Sequence, residues 1–251
     1  MPQFIQQKKD LPFSNLFKPN LPPHLPQSPL STYSLNKSGK ELEPIIASSG
    51  VGNYNSQALQ YIHKDDARRP FVVIDPGHGG TNNGAENKTP QGKVALEKSL
   101  TLESSKQLAE TLYKEGFNVV LTRNRDSYPG LLTRAIISNK LQPDYLLSIH
   151  YNSFRVAQSK IGAEIFSYYS ASKDSKLINS EISKELRKVD DANGKSYRGH
   201  REKGFMVLKE AKVPSGLVEL SFMQDASTFD ASFRTAQLNG IAKALKFCFV
   251  K

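Results

Sequence analysis

From Phe71 to Ile74 ("FVVI") apolar and β-branched residues run without a break, as in a strand buried on both faces. Pro76 and Gly77 stop it beyond Asp75, so His78, in "DPGHGG", falls just past the strand's carboxyl end. Leu96, Leu100, Leu108 and Leu112 then recur near helical spacing through "ALEKSLTLESSKQLAETLYKEG", and Gly116 supplies a C-terminal stop. The alternation continues. "FNVVLTR" reads as a strand, "LLTRAIISNKL" as a helix, "DYLLSIHYNS" and "GAEIFSYYS" as strands, and "KDSKLINSEISKELRKV" as a long, charge-laced helix. "GFMVLKEA" is expected to add a short strand and "SGLVELSFM" a buried one, before "FDASFRTAQLNGIAKALKFCFV" closes the chain as an amphipathic helix. Strands separated by helices predict an α/β fold: a mixed, largely parallel central sheet with helices on both faces. There is no internal repeat.

The residues before this pattern are different in kind. Segment 1–68 is rich in Pro, Ser, Gln, Asn and Lys, with prolines too frequent for helix or interior strand, and is expected to be a disordered tail or linker. Within it "SQALQYIHKDDARR" is a short amphipathic stretch suited to docking on the domain after it. That domain is expected over 69–251. His24 and His63 fall ahead of it and receive no role.

A net charge of +10 suits an anionic partner, whether nucleic acid, acidic lipid or a cell-wall polymer, and does not choose among them. No nucleic-acid recognition signature is present and the lysines are dispersed, so no nucleic-acid partner is expected. Cys248 is the single cysteine, which excludes an intrachain disulfide framework and cysteine-based zinc clusters. No run approaches a membrane span, and the N-terminus lacks the apolar core of a secretory signal. Two expectations stay open: work in the cytoplasm, or a sequence that begins after an export signal.

Four chemistry-bearing residues stand at related places. His78 follows the first strand, His150 ends the third ("LLSIH"), Glu219 lies towards the end of a later strand ("LVEL"), and Glu97 opens the first long helix. Parallel strands present their carboxyl ends on one side of a sheet, and a helix after the first strand starts on that side, so the four can converge. Two imidazoles and a carboxylate are the ligand set of a catalytic zinc site with one position left for water. A second carboxylate, Glu219, would then take a proton from water and return it to a leaving nitrogen. The alternative treats each singly: a hydrogen-bonded strand-end histidine, a first-turn acid favoured by the helix dipole, and a buried acid paired with an arginine. The ionisable Glu219 inside the apolar run Leu217, Val218, Leu220 weighs against that alternative, because burial without a partner disfavours its charge.

The ordered motifs "IDPGHGG", "ALEKSLTL", "VVLTRNRD", "SIHYNS" and "RGHREKGFMVLKEAKVPSGLVELSFM" resemble the zinc-dependent N-acetylmuramoyl-L-alanine amidases of type 3, from about Phe71 to the C-terminus. The resemblance implies zinc (Zn2+) bound by His78, Glu97 and His150, with Glu219 as the catalytic carboxylate. It implies cleavage of the amide between N-acetylmuramic acid and L-alanine in peptidoglycan or muropeptides, in cell-wall remodelling or cell separation. Periplasm or cell envelope is the expected location and a monomer the expected state. Asn152 and Arg134 match family positions near the site and are candidates for substrate contact. Arg134 and Asn139 have helix capping and salt bridging as equal alternatives. His200 is expected in a charged, solvent-exposed loop. Family members often have Asp after the GHGG segment, where this chain reads "TNNGA", and Asn83 is expected to keep that loop's hydrogen bonds. Some members insert an inhibitory helix between the last histidine ligand and the catalytic glutamate; the short interval here predicts an open site.

Three rivals arise from the same residues. A zinc carboxypeptidase trimming stem peptides would use the same ion and glutamate. "SLNK" and "SASK" fit Ser-x-x-Lys, a pattern that chance supplies readily in a chain rich in Ser and Lys, and the partner motifs of serine-based wall enzymes are missing. A non-catalytic wall-binding module would have lost a ligand or Glu219, and neither is lost.

Overall fold

The structure is a computed structural model that describes residues 60–61, 69–154 and 161–250. Its chain order is β1 (Gln60–Tyr61), β2 (Phe71–Pro76), β3 (Glu86–Lys88), β4 (Val94–Leu96), α1 (Glu97–Lys114), β5 (Asn118–Leu121), α2 (Leu131–Leu141) and β6 (Tyr145–Asn152). After these come β7 (Glu164–Ser167), α3 (Lys173–Ala192), β8 (Gly199–Glu202), α4 (Met206–Glu210), β9 (Ser215–Phe222), a 3-10 turn at Ala226–Phe229, and α5 (Ala231–Phe249). A seven-stranded sheet runs β1-β5-β2-β6-β9-β7-β8, and β3 pairs with β4 as a separate hairpin. The pairs β2–β5, β2–β6, β6–β9 and β7–β8 are parallel; β1–β5 and β7–β9 are antiparallel. The expected mixed, largely parallel sheet is what the chain forms.

Helices cover both faces because the central strands are apolar on both. Val72, Ile74, Val119, Leu121, Leu147, Ile149, Val218 and Leu220 pack with α1, α3 and α5 in the larger core. Alternate positions, among them Val73, Val120, Leu146 and Leu217, pack with Ile137 and Leu141 of α2 and Val207 and Leu208 of α4. The chain leaves β2 through α1 to β5 on one side and returns through α2 to β6 on the other. This reversal of direction opens a crevice at the carboxyl end of β2.

Some expectations need correcting. "GFMVLKEA" forms no strand: Met206–Glu210 is the helix α4, and the strand lies one segment earlier, at Gly199–Glu202. His200 is therefore in β8 rather than a loop, half-buried, with its Nε2 2.7 Å from Ser167 Oγ. Of the expected tail, Gln60–Tyr61 pairs with β5, so the sheet reaches back into that segment; the rest of 1–68 lies outside the described residues.

Candidate metal centre

His78 is placed by a loop with almost no freedom. Its own φ is +61°, a left-handed conformation rare for a residue with a side chain. Three successive carbonyls hold it there. Pro76 O accepts from Arg123 Nε (3.0 Å) and Arg134 Nη1 (2.6 Å), and Gly77 O from Arg123 Nη2 (2.8 Å) and Thr101 Oγ1 (2.7 Å). His78 O accepts from Arg134 Nη2 (2.7 Å). The ring is oriented by Asn82, whose Oδ1 lies 2.8 Å from His78 Nδ1, leaving Nε2 to face Glu97.

Glu97 opens α1 and is 4% exposed. Its Oε2 accepts from Ala85 N–H (2.8 Å), and its Oε1 accepts from Tyr151 N–H (3.1 Å). Oε1 also lies 2.9 Å from His78 Nε2 and 3.0 Å from His150 Nδ1. Burial alone would raise the Glu97 pKa, but the hydrogen bonds and charges of His150 and His78 hold it well below the carboxylate range. For His78 burial works against the charged form, and Glu97 outweighs it and raises the pKa. His150 comes from the end of β6, and the two rings meet edge-on with centroids 4.9 Å apart.

The donor set fits a metal ion. One ligand atom from each of His78, Glu97 and His150 lies within 4.8 Å of the others, as a divalent ion requires of two imidazoles and a carboxylate. The backbone approaches the site so closely that a Cβ on Gly77 would stand 2.3 Å from the His150 ring, and one on Gly84 2.6 Å from Glu97 Oε2. Both imidazoles remain accessible, at 22% and 19% of their side-chain surface.

Glu219 occupies the neighbouring strand, its Cα paired with that of His150. It lines, with His78, His150, Asn82, Tyr128, Phe205 and Met206, a cleft of about 240 Å³. Its Oε2 is buried and has no hydrogen-bond partner. Burial, then the charges of Glu97 and Glu164, push its pKa well above the ordinary value, and Lys203 opposes them. No arginine is paired with it among the described residues, unlike the alternative raised from the sequence.

The remaining candidates divide. Arg134 lines the cleft, 2% exposed, with its guanidinium bonded to Asp75 Oδ1 (2.8 Å), Pro76 O, His78 O and Pro129 O. Asn152 donates from Nδ2 to Glu164 Oε1 (2.8 Å) and accepts from Ser153 N–H. Asn139 ties α2 to the C-terminal end of α4, through Glu210 O and Lys212 N–H. Asn83 bonds Glu86; the residue that bonds His78 is Asn82, one position earlier. Sequence reasoning also missed Asp75, Arg123 and Thr101, and only the break in the apolar run at Asp75 hinted at the first. Between His150 and Glu219 stand β7, α3, β8 and the five-residue α4, with 155–160 outside the described residues.

Residues 72–246 match the family model described as N-acetylmuramoyl-L-alanine amidase. A probable cell wall amidase LytH of Staphylococcus epidermidis is 30% identical over 188 residues, 74% of this chain and 59% of its own length. That of Staphylococcus aureus is 33% identical over 162 residues, 64% of this chain and 51% of its own. The chain thus spans little more than half the length of these relatives. Among solved structures, the N-acetylmuramoyl-L-alanine amidase of Clostridium difficile 630 superposes with a TM-score of 0.64 at 29% identity, covering 71% of this chain and 96% of that one. AmiC2 of Nostoc punctiforme gives 0.63 at 29% identity, covering 73% and 98%.

Proposed function

The chain belongs to the N-acetylmuramoyl-L-alanine amidase family, and from that premise we propose that it hydrolyses the amide between N-acetylmuramic acid and the L-alanine of a peptidoglycan stem peptide, with zinc held by His78, Glu97 and His150. The convergence of those three side chains on one point carries the reading. Zinc in such a site supplies Lewis acidity, polarising a carbonyl and bringing the pKa of water towards neutrality. The chain's own groups do the rest. Glu219 in its carboxylate form accepts a proton from the attacking water, whose oxygen bonds the lactyl carbonyl carbon. Burial and two neighbouring acids favour the protonated form of Glu219, so the proton is retained for the alanine nitrogen as the C–N bond breaks. The products are a lactyl carboxylate and a peptide with a free alanyl amine. Asn82 and Arg134 keep His78 in place.

The two accessible imidazoles support a site open without an activator. No helix among the described residues is long and apolar enough to cross a membrane. The substrate places the enzyme's work in the cell envelope, in wall remodelling.

Glu219→Gln tests the reading. The variant should fold and bind zinc while turnover of purified wall fragments falls by about 10²–10⁴-fold. Mass analysis of wild-type products should show intact stem peptides beginning with L-alanine; released D-alanine would favour a carboxypeptidase instead. A Gln variant that cleaves at the normal rate refutes the role of Glu219.

A further inference from the structure

Register fixes what lies on the far side of Glu219 from the metal ligands. His150 pairs with Glu219, and Glu219 with Glu164, so the three share one face of the sheet across β6, β9 and β7. Phe166 pairs with Arg201 of β8, which puts Arg201 on that face too, and strand alternation brings Lys203 there next. The side chains agree. Arg201 Nε lies 3.7 Å from Glu164 Oε2, and Lys203 Nζ stands 5.4 Å and 4.6 Å over the rings of Phe166 and Phe205, the latter a wall of the cleft. In order across the face come a metal ligand, the proton-carrying acid, a second acid, and two cations.

Neither cation has a close acidic partner of its own among the described residues. Glu164 is 2% exposed and already takes Asn152 Nδ2 at 2.8 Å and lies 3.0 Å from Arg198 Nε. Arg201 donates from Nε to Arg198 O (3.2 Å) and reaches Glu164 only at the long distance just given, so its charge has no close acid among the described residues, and its side chain is 52% exposed. Lys203 is exposed and forms no ion pair among the described residues; its ammonium rests on two aromatic faces.

The chemistry gives this arrangement a direction. An amide whose nitrogen receives the Glu219 proton has its acyl half on the His78 side and sends its nitrogen substituent past Glu219, towards β7 and β8. Resting on the amidase reading above, we infer that the exposed face of β8 is the subsite for an acidic residue of the departing peptide, with Lys203 and Arg201 receiving its carboxylate. Preference between peptides is then set at β8, remote from the bond that breaks.

The test uses two N-acetylmuramoyl-L-alanyl peptides whose second residue is glutamate, one with the α-carboxylate free and one with it as the carboxamide. KM and kcat are measured for the full chain and for Lys203→Met, Lys203→Glu and Arg201→Met, all at exposed positions. Lys203→Met should raise KM for the free acid, relative to the carboxamide, by about tenfold or more, the worth of one charge-assisted hydrogen bond, while any change in kcat, since the Lys203 charge also acts on Glu219, should be the same for both substrates. Arg201→Met should act in the same sense, and Lys203→Glu should reverse the preference. Equal KM changes for both substrates, or none for either, overturn the inference while leaving the function standing. Failure of the wild type to cut either substrate at the muramoyl–alanine bond overturns both.

Discussion

Asp75 and the two arginines beneath the His78 loop form a buried ionic lattice whose worth can be measured. Asp75 is wholly buried; its Oδ1 accepts from Arg134 and from Thr122 Oγ1 (2.5 Å), and its Oδ2 from Ser148 Oγ (2.7 Å). Burial would raise its pKa, but Arg134, Thr122 and Ser148 together hold it below the usual value of 3.8. Its contribution to stability is therefore present above that value and lost as pH falls through the lower folded pKa. Removing one partner of a buried pair costs about 3–5 kcal/mol, against about 5–15 for a whole domain. The two removals are not equivalent. Asp75→Asn leaves Arg134 and the neighbouring buried Arg123 with no buried carboxylate, whereas Arg134→Met leaves Asp75 still facing Arg123. Asp75→Asn should fall at the upper end of that range and Arg134→Met at the lower. The double variant should cost less than the sum by about 1–3 kcal/mol, because the second change removes a charge that the first left stranded. Urea unfolding at pH 7 in chelator, followed by circular dichroism, reads all four corners of the cycle. Additivity within about 0.5 kcal/mol would refute the pairing as the source of the stability.

Two further outcomes are expected. Asn82→Ala removes the bond that orients the His78 ring and should weaken zinc binding by about 10–100-fold, read by competition with a chromogenic chelator, with the unfolding midpoint of the metal-free protein little changed. Asp190 is buried between Ala163 N–H (2.6 Å) and Gln237 Nε2 (3.3 Å), and burial pushes its pKa from 3.8 up to about 6. The folded state then binds the proton more tightly, so stability falls as pH rises from about 4 to 6, by up to about 3 kcal/mol. Asp190→Asn should flatten that limb and gain stability at pH 7.5; parallel pH profiles for the two proteins would count against it.

What was legible in the sequence had a local cause. Strand ends are marked by Pro and Gly, and a chemistry-bearing residue at the end of an apolar run stands at the carboxyl edge of the sheet whatever the rest of the chain does. His78, His150 and Glu219 needed no more than this, and Glu97 only the start of a helix. What stayed hidden depended on partners. "GHRE" pairs with β7 on one side only, so its polarity disguised a strand, while Phe205–Leu208, four apolar residues in a row, suits a short helix packed on α2 as well as it suits a strand. The reversal of β7 against β9 leaves no mark in "AEIF", because pairing direction is decided by the connection and not by the strand.

The arginines were illegible for a different reason, and they explain how an ordinary loop sequence makes a site. Arg134 was equally readable as a substrate contact or as a capping and salt-bridging residue, and although it does form an ion pair, nothing near it in sequence announces the partner, Asp75 on β2. Once folded, the carbonyls of Pro76, Gly77 and His78 are all taken by Arg123 and Arg134, whose Nη2 and Nη1 atoms also reach Lys98 O (2.7 Å), just after Glu97, and Asp75. The same two cations thereby fix the backbone leading into His78 and just after Glu97, and hold His78 at a φ that its side chain disfavours. A loop held by neutral donors would relax more cheaply. Charged donors lacking water must keep their acceptors, so the site's geometry is maintained by the cost of stranding a guanidinium rather than by the ligands themselves.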